Sequence, residues 1–141
     1  MIAFVLLNTF VGCSKKDDTP QPYKFPVPVW MKDASGKYPL SMTAVVRLSY
    51  KLNLNLQPND QLAAFINGEC RGTGVMVKAG LANVFNIVIQ GTSTENSKVT
   101  FKYYSNFNQN MFLTTDFLAF TVDRSFGSPD NPETLPLVII Q

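Results

Sequence analysis

The sequence predicts an all-β fold, namely an antiparallel β-sandwich, immunoglobulin-like or jelly-roll-like, with about eight or nine short strands. Apolar and polar residues alternate along several segments of strand length, as they do in strands with one buried and one solvated face. Glycine, asparagine and proline separate these segments at short intervals, and no segment has a convincing helical pattern. With 141 residues, 45% hydrophobic and 16% charged, the chain suits a single folded domain.

The composition also narrows the classes of function. The net charge is only +2 and the twelve Lys and Arg residues are scattered, so we expect no nucleic-acid partner. Histidine is absent, which excludes histidine-based catalytic triads and histidine-ligated zinc sites. The carboxylates lack the Asp-x-Asp-x-Asp spacing of a calcium loop, and we expect neither a metal nor a cofactor.

Residues 1–12 have the pattern of a signal peptide. Residues 1–11 are apolar apart from Asn8 and Thr9, a run too short to span a bilayer but typical of the apolar region of a secretion signal. Gly12 directly before Cys13 resembles the lipobox of bacterial lipoproteins, in which the cysteine is acylated and becomes the mature N-terminus. The resemblance implies lipidation at Cys13 and attachment to a membrane through that lipid. The alternative is a buried N-terminal strand.

Residues 13–26 have the composition of a flexible tether. Charged residues are followed by closely spaced prolines, which favour an extended, polyproline-like chain. Lys16-Asp17-Asp18 resembles the short export signal of Bacteroidetes surface lipoproteins, and this resemblance implies an outer-membrane location facing the cell exterior. The alternative is a solvated linker without a targeting role. The folded domain is expected over residues 27–141.

Two strand segments open the folded domain. Residues 27–31 are expected to form an edge strand, because Pro26 and Pro28 cannot donate hydrogen bonds to a central ladder. Every second residue from Met42 to Leu56 is apolar, which predicts strand structure with one solvated face. This pattern is too long for one ordinary strand, so we expect a break or bend over residues 49–53.

Residues 60–74 predict a β-hairpin around which the domain is organised. Asn67-Gly68 is the dipeptide that most readily supplies the two positive φ angles of a type I′ turn. The pairs that follow from this turn are Ile66 with Glu69, Phe65 with Cys70, Ala64 with Arg71 and Ala63 with Gly72. Gly72 and Gly74 in the second strand indicate a bulge, or a place where another backbone comes close.

Alternation along the hairpin gives its side chains opposite directions. We expect Phe65 and Cys70 to point into the core, and Glu69 and Arg71 to share the outer face. Cys70 is then a buried thiol and not a nucleophile, since the chain has no histidine to activate it. Glu69 and Arg71 form either a charged rim for a ligand or an exposed ion pair of little energetic value.

Five further strands are predicted after the hairpin. Their expected ranges are residues 81–90, 98–105, 111–114, 117–122 and 135–140. Alternation directs Phe85, Ile87, Ile89, Val99, Phe101 and Tyr103 into the core, and Lys102 and Tyr104 outward. Residues 123–134 contain glycine and proline and are expected to form a long loop.

An ordered set of motifs resembles a known module. The set comprises Gly68-Glu69-Cys70-Arg71-Gly72 in the hairpin, residues 100–104, and Gly127-Ser128-Pro129-Asp130-Asn131-Pro132 in the late loop. Within residues 42–137, the chain resembles a β-sandwich module that recurs in surface and secreted proteins of Bacteroidetes. The module has no assigned activity, so the resemblance implies a fold and a cell-surface location but no chemistry.

Exposed aromatic and amide side chains are the main candidates for ligand binding. Flat rings stack on sugars, and neighbouring amides can bond to sugar hydroxyl groups. The candidate residues are Trp30, Tyr104, Asn106 and Asn108, together with the charged pair Glu69 and Arg71. The alternative for the aromatic rings is that they cover the ends of the sandwich.

We therefore expect a non-catalytic binding or accessory module on the cell surface, with a glycan or a surface protein as its ligand. The alternative is a structural or adhesive subunit that assembles through edge strands, since residues 137–140 are apolar on both faces. A less favoured alternative is a glycan-active enzyme, which needs two carboxylates about 5–10 Å apart in a cleft. Asp60, Asp123 and Asp130 are the candidates for such a pair.

Overall fold

The computed structural model describes Gly12, residues 19–115 and residues 117–141. The predicted lipidation site Cys13 lies outside the described residues, as does all of the predicted signal peptide except Gly12. In the described part of the chain, no helix combines the length and hydropathy that a membrane span requires.

The described residues form ten strands and one short helix, which confirms the all-β prediction. The elements are β1 (Leu40–Arg47), α1 (Tyr50–Asn53), β2 (Gln61–Ile66), β3 (Glu69–Ala79), β4 (Ala82–Gly91), β5 (Lys98–Ser105), β6 (Asn110–Leu113), β7 (Leu118–Ala119), β8 (Ser125–Phe126), β9 (Glu133–Thr134) and β10 (Val138–Ile139). The long strands β1 to β5 lie close to the predicted ranges. The last four strands have only two residues each.

The strands follow one another in the order β10-β6-β5-β2-β3-β4-β1-β8, with β7 paired to β5 and β9 paired to β1. The first part of β3 pairs with β2 and its second part pairs with β4, so this long strand joins two halves of one curled sheet. Strand β1 pairs in parallel with both β8 and β9. The sheet is therefore mixed, and the expectation of a purely antiparallel arrangement is wrong for these two pairs.

The core lies between the two halves of the curled sheet. It is formed by Met42, Ala44, Val46, Leu48, Leu62, Ala64, Ile66, Phe85, Ile87, Ile89, Val99, Phe101, Tyr103 and Leu135. Phe85 of β4 and Tyr103 of β5 meet across it, with ring centroids 6.5 Å apart. All six side chains predicted to point inward from β4 and β5 are part of this cluster, as strand alternation requires.

The alternating pattern that starts at Met42 stops being a strand after Arg47. The expected break is present, but the chain then forms the helical turn α1 and not a second strand segment. Leu52 and Leu56 both pack against the core, while Leu54 is exposed. Since α1 ends at Asn53, Leu52 reaches the core from the helical turn and Leu56 reaches it from the segment that follows.

The central hairpin has the predicted turn. Asn67 and Gly68 have φ angles of 51° and 75°, and Ile66 pairs with Glu69. The pairs further along are Phe65 with Cys70, Ala64 with Gly72 and Ala63 with Thr73. The register shifts by one residue at Arg71, so the expected pairing of Ala64 with Arg71 is wrong and the expected bulge is confirmed.

The side chains of strand β2 in the hairpin point in the directions opposite to those predicted. Ala64 and Ile66 belong to the core cluster, whereas Phe65 is buried on the outer face of the sheet. Trp30 packs edge-on against the Phe65 ring, with centroids 5.7 Å apart. Phe65 is therefore covered by the N-terminal segment and not by the opposite half of the sheet, which sequence alternation could not reveal.

Gly72 and Gly74 lie where strand β3 passes from one half of the sheet to the other. A Cβ atom on Gly72 would stand 2.3 Å from the carbonyl oxygen of Val88, and one on Gly74 would stand 3.1 Å from that of Leu62. The predicted close approach of another backbone is confirmed at both positions. The missing side chains allow β3 to lie against both of its neighbours at this point.

Residues 24–38 cross the outer face of the sheet without joining it, so the edge strand expected over residues 27–31 is wrong. Pro26 and Pro28 lack the N–H groups that a ladder needs. The segment is held instead by the Phe25 N–H, which donates to the Gln109 carbonyl at 2.8 Å, and by the contact of Trp30 with Phe65. Contacts with the folded body thus begin inside the range predicted as a tether.

Candidate functional site

The six predicted ligand residues lie in three separate places. Tyr104, Asn106 and Asn108 lie at the β5–β6 turn, and Trp30 lies on Phe65. Glu69 and Arg71 belong to a polar network beside the hairpin. The structure therefore does not bring the six residues together into one site.

Tyr104 is completely buried, so its predicted outward exposure is wrong. It does lie on the outer face of β5, but residues of the N-terminal segment cover it, and its hydroxyl lies 3.5 Å from the Phe25 carbonyl. The nearby Asn108 is exposed, and its carbonyl accepts a hydrogen bond from the Lys24 ammonium at 2.9 Å. The Tyr104 ring is not available for stacking on a ligand.

The backbone of Asn106 is positioned by the buried carboxylate of Asp60. One oxygen of Asp60 accepts from the Asn106 N–H at 2.7 Å, and the other accepts from the Gln57 N–H at 2.9 Å and from the Tyr103 hydroxyl at 2.5 Å. Burial, followed by this carboxylate, raises the pKa of Tyr103 well above its usual value. Asp60 thus joins two loops and has the bonds of a structural residue.

Arg71 is 4% exposed, so the expected exposure of its ion pair with Glu69 is wrong on the Arg71 side. Its guanidinium donates to Glu95 at 2.7 Å and to the Gln90 carbonyl at 3.3 Å. The Cζ atom lies 3.4 Å from the centroid of the Tyr38 ring, a cation–π contact. The side chain is buried because Tyr38 of the N-terminal segment and Glu95 of the β4–β5 loop cover it.

Glu69 links the Arg71 side chain to the N-terminal segment. Its carboxylate accepts a hydrogen bond from the Tyr38 hydroxyl and one from the Lys37 ammonium, and it lies 3.7 Å from the Arg71 Nε. The hydrogen bond from Tyr38 is the main reason why the pKa of Glu69 is lowered. We call Lys37, Tyr38, Glu69, Arg71 and Glu95 the Arg71 network. Its two cations and two carboxylates compensate one another.

A polar cleft opens beside this network, at the tip of the hairpin. It has a volume of about 520 Å³ and is lined by Asn67, Gly68, Asn96, Ser97, Lys98 and Thr100. The β2–β3 turn, the β4–β5 loop and the start of β5 each contribute residues, and we call it the tip cleft. Its lining offers two amides, two hydroxyls and one ammonium, which together donate and accept hydrogen bonds.

Aromatic side chains lie next to the tip cleft. Thr100 of the cleft pairs directly with Phe65 across β5 and β2, and Phe65 carries the half-buried Trp30. The Lys102 ammonium lies 4.8 Å from the centroid of the Phe65 ring. Neither ring lines the cleft itself, and Trp30 is connected to it through Phe65, the strand partner of Thr100.

A second open surface lies on the outer face of β1, β4 and β3, in the other half of the sheet. It forms a groove of about 470 Å³ with Lys32 at its border. Two rows of side chains cross the three strands, one with Val45, Asn86 and Val75 and the next with Thr43, Val88 and Thr73. We call it the valine groove, and its β-branched lining is more apolar than that of the tip cleft.

Two further kinds of site were considered, a nucleophilic thiol and a metal centre. The Cys70 thiol is half-buried and lies 3.7 Å from the Gly72 carbonyl, and burial raises its pKa, so it is protonated at neutral pH. In the described part of the chain, no three Cys, Asp or Glu side chains lie close enough together to hold a metal ion.

The sequence did not predict the tip cleft. The sequence predicts a turn at Asn67-Gly68 and a loop around Asn96, but it does not predict that the two form one surface. The signal in the sequence is that both stretches, Asn67-Gly68 and the residues just before Lys98, are polar. Their meeting depends on the pairing of β2 with β5, which the sequence pattern does not specify.

The chain was compared with protein-family models, with curated proteins and with solved structures, and none of them matches it. The surfaces described above therefore carry the argument about function.

Proposed function

We propose that the protein is an outer-membrane lipoprotein, anchored through a lipid on Cys13 and facing the cell exterior, whose folded domain is a non-catalytic binding module. Support for the anchor comes from the apolar leader and from the resemblance of Gly12-Cys13 to a lipobox. We also propose that the curled sheet belongs to the β-sandwich class, since its two halves pack their apolar faces against each other around one core.

The tip cleft is the observation that carries the binding proposal. Its volume lies within the roughly 300–1,000 Å³ of small-ligand sites. Its amides and hydroxyls both donate and accept hydrogen bonds, as the hydroxyl groups of a sugar do. We propose a glycan as the ligand, with the polar lining of the cleft bonding to its hydroxyl groups and Trp30, on the neighbouring Phe65, supplying an aromatic ring outside the cleft.

Assembly through edge strands has less support. The two ends of the main strand order, β10 and β8, have two residues each, and Pro136 precedes β10. Short edges beside proline are a feature that prevents strand addition. The alternative of a glycan-active enzyme gains no support from Asp60 or Glu95, because both carboxylates are held by hydrogen bonds within the fold.

A glycan array and a pull-down with the full chain test the proposal. The cleft variant combines Asn96→Ala with Thr100→Val, and the matched control combines Asn86→Ala with Thr43→Val in the valine groove. We expect the wild type and the control to retain the same glycans, and the cleft variant to lose them while its circular dichroism stays unchanged.

Two results would contradict the proposal. Loss of the ligand in the control variant alone would move the site to the valine groove. Retention of a protein but of no glycan would replace the glycan with a protein ligand.

A further inference from the structure

The tip cleft is cationic because of the way strand β5 presents its side chains. Val99 and Phe101 point into the core, so Lys98, Thr100 and Lys102 all lie on the outer face. Lys98 lines the cleft, and Lys102 lies beside Phe65. The two lysines are four strand positions apart, which places their Cα atoms roughly 13 Å from each other.

The carboxylates nearest in sequence do not neutralise this face. Glu95 precedes Asn96 of the cleft, but its side chain is only 8% exposed and is bound to Arg71. Glu69 follows Gly68 of the cleft, but it is held by Tyr38 and Lys37. The residues that line the cleft include one ammonium group and no carboxylate.

We propose that the tip cleft binds an acidic saccharide, that is, a chain of sugars bearing carboxylate or sulfate groups. This inference rests on the proposed function and deepens it. The Lys98 ammonium pairs with one acidic group, and Asn96, Ser97 and Thr100 bond to sugar hydroxyls. A second acidic unit, further along β5, reaches Lys102, and the half-buried Trp30, which packs on Phe65 as Lys102 does, contacts the apolar side of the sugar ring.

Fluorescence polarisation with the full chain tests the inference. The probes are labelled tetrasaccharides of galacturonic acid, of sulfated galactose and of unmodified galactose, together with a single-stranded oligonucleotide of matched charge. We expect both acidic sugars, or the one whose geometry fits, to bind about tenfold more tightly than neutral galactose, because a charge-assisted contact at Lys98 is added. Added salt should weaken this binding.

Lysine variants locate the contact. Lys98→Gln should lower the affinity for the acidic sugar about tenfold, and Lys102→Gln should lower it severalfold, with no effect on neutral galactose. The control Lys51→Gln removes the same charge from an exposed residue of α1 and should leave the affinity unchanged.

The outcomes separate this inference from the proposed function. Equal binding of neutral and acidic sugars, lost in the Asn96→Ala and Thr100→Val double variant, would overturn the acidic ligand and keep the glycan-binding function. If Lys98→Gln and Lys51→Gln lower the affinity for the acidic sugar equally, or if the oligonucleotide binds as tightly as that sugar, the acidic-saccharide inference would be overturned. The binding would then be unspecific charge attraction. Failure of both acidic sugars to bind would overturn it as well.

Discussion

The hairpin turn and the β4–β5 loop contribute residues to both the Arg71 network and the tip cleft. The network and the cleft differ in how their polar groups are satisfied. From the same two stretches, Glu69 and Glu95 turn towards Arg71, while Asn67 and Asn96 line the open cleft. The first region is a closed set of ion pairs and hydrogen bonds, although the Arg71 Nε, 3.7 Å from the Glu69 carboxylate, makes no hydrogen bond with any described residue. The second leaves its polar groups open to solvent.

The difference follows from the cost of burying charge. The Arg71 guanidinium and the Glu95 carboxylate are 5% and 8% exposed, and such groups are tolerated only when each has its partner. Neutral amides and hydroxyls on the surface carry no such requirement. The buried charged residues beside the tip cleft therefore belong to the fold, and the exposed residues that line the cleft belong to the candidate site.

The largest expected effect on stability comes from a change in the Arg71 network. Arg71→Met leaves the Glu95 carboxylate buried without a cation and should lower the free energy of unfolding by about 3–5 kcal/mol. Adding Glu95→Gln should recover part of this loss. Urea denaturation measures both, with exposed Arg124→Met as a control that stays within about 0.5 kcal/mol of the wild type. A loss below about 1 kcal/mol for Arg71→Met would show that the network does not stabilise the fold.

A smaller effect is expected where β3 crosses between the halves of the sheet. The Cβ atom of Gly72→Ala would overlap the Val88 carbonyl, which should destabilise the protein by about 1–3 kcal/mol. Gly74→Ala meets its neighbours at 3.1 Å and should cost less. Thermal unfolding measures both. The ligand affinity of the folded Gly72→Ala protein should stay unchanged, because the cleft residues lie beyond the crossing point. A loss of affinity would show that the two regions are coupled.

The next effect depends on pH. The pKa of Glu69 is lowered from its usual 4.5, chiefly by the Tyr38 hydroxyl. Its contribution to stability is therefore complete above pH 4.5 and is lost as the pH falls through the lowered, folded-state pKa. Between about pH 5 and pH 3, the unfolding free energy of the wild type should fall more than that of Glu69→Gln. Tyr38→Phe should flatten the curve in the same way, and parallel curves for all three proteins would contradict the assignment.

The smallest effect on stability is expected from a change in the tip cleft. Asn96→Ala should stay within about 0.5 kcal/mol of the wild type in urea denaturation, since this exposed side chain lines the cleft. The same variant should lose ligand in the binding assays described above. A destabilisation above about 1 kcal/mol would place Asn96 among the structural residues and weaken the contrast between the two regions.

Strand alternation predicted much of the fold because it is a local property. The range predicted for β5 agrees with Lys98–Ser105, and its inward residues are those of the core. Asn67-Gly68 likewise predicted the hairpin turn, since only local backbone angles are involved. The expected break after β1 is present, but alternation could not predict the helical turn α1, because four residues are too few to show a helical period.

The candidate site was much less predictable than the strands. Tyr104 was placed on the correct face of β5, but its burial depends on residues that lie about eighty positions away in the sequence. The expected exposure of Arg71 is wrong because Tyr38 and Glu95, which cover its side chain, come from distant segments of the chain. The tip cleft depends on two turns that come together only when β2 pairs with β5.

The sequence by itself determined the all-β class, the main strands, the hairpin turn and the glycines at the strand crossing, because each of these depends on periodicity or on backbone angles within a few residues. The tertiary structure decided which polar groups are closed into the Arg71 network and which remain open in the tip cleft. It also decided that the N-terminal segment covers Phe65 and Tyr104. These outcomes depend on contacts between distant segments, and no local pattern encodes which segments meet.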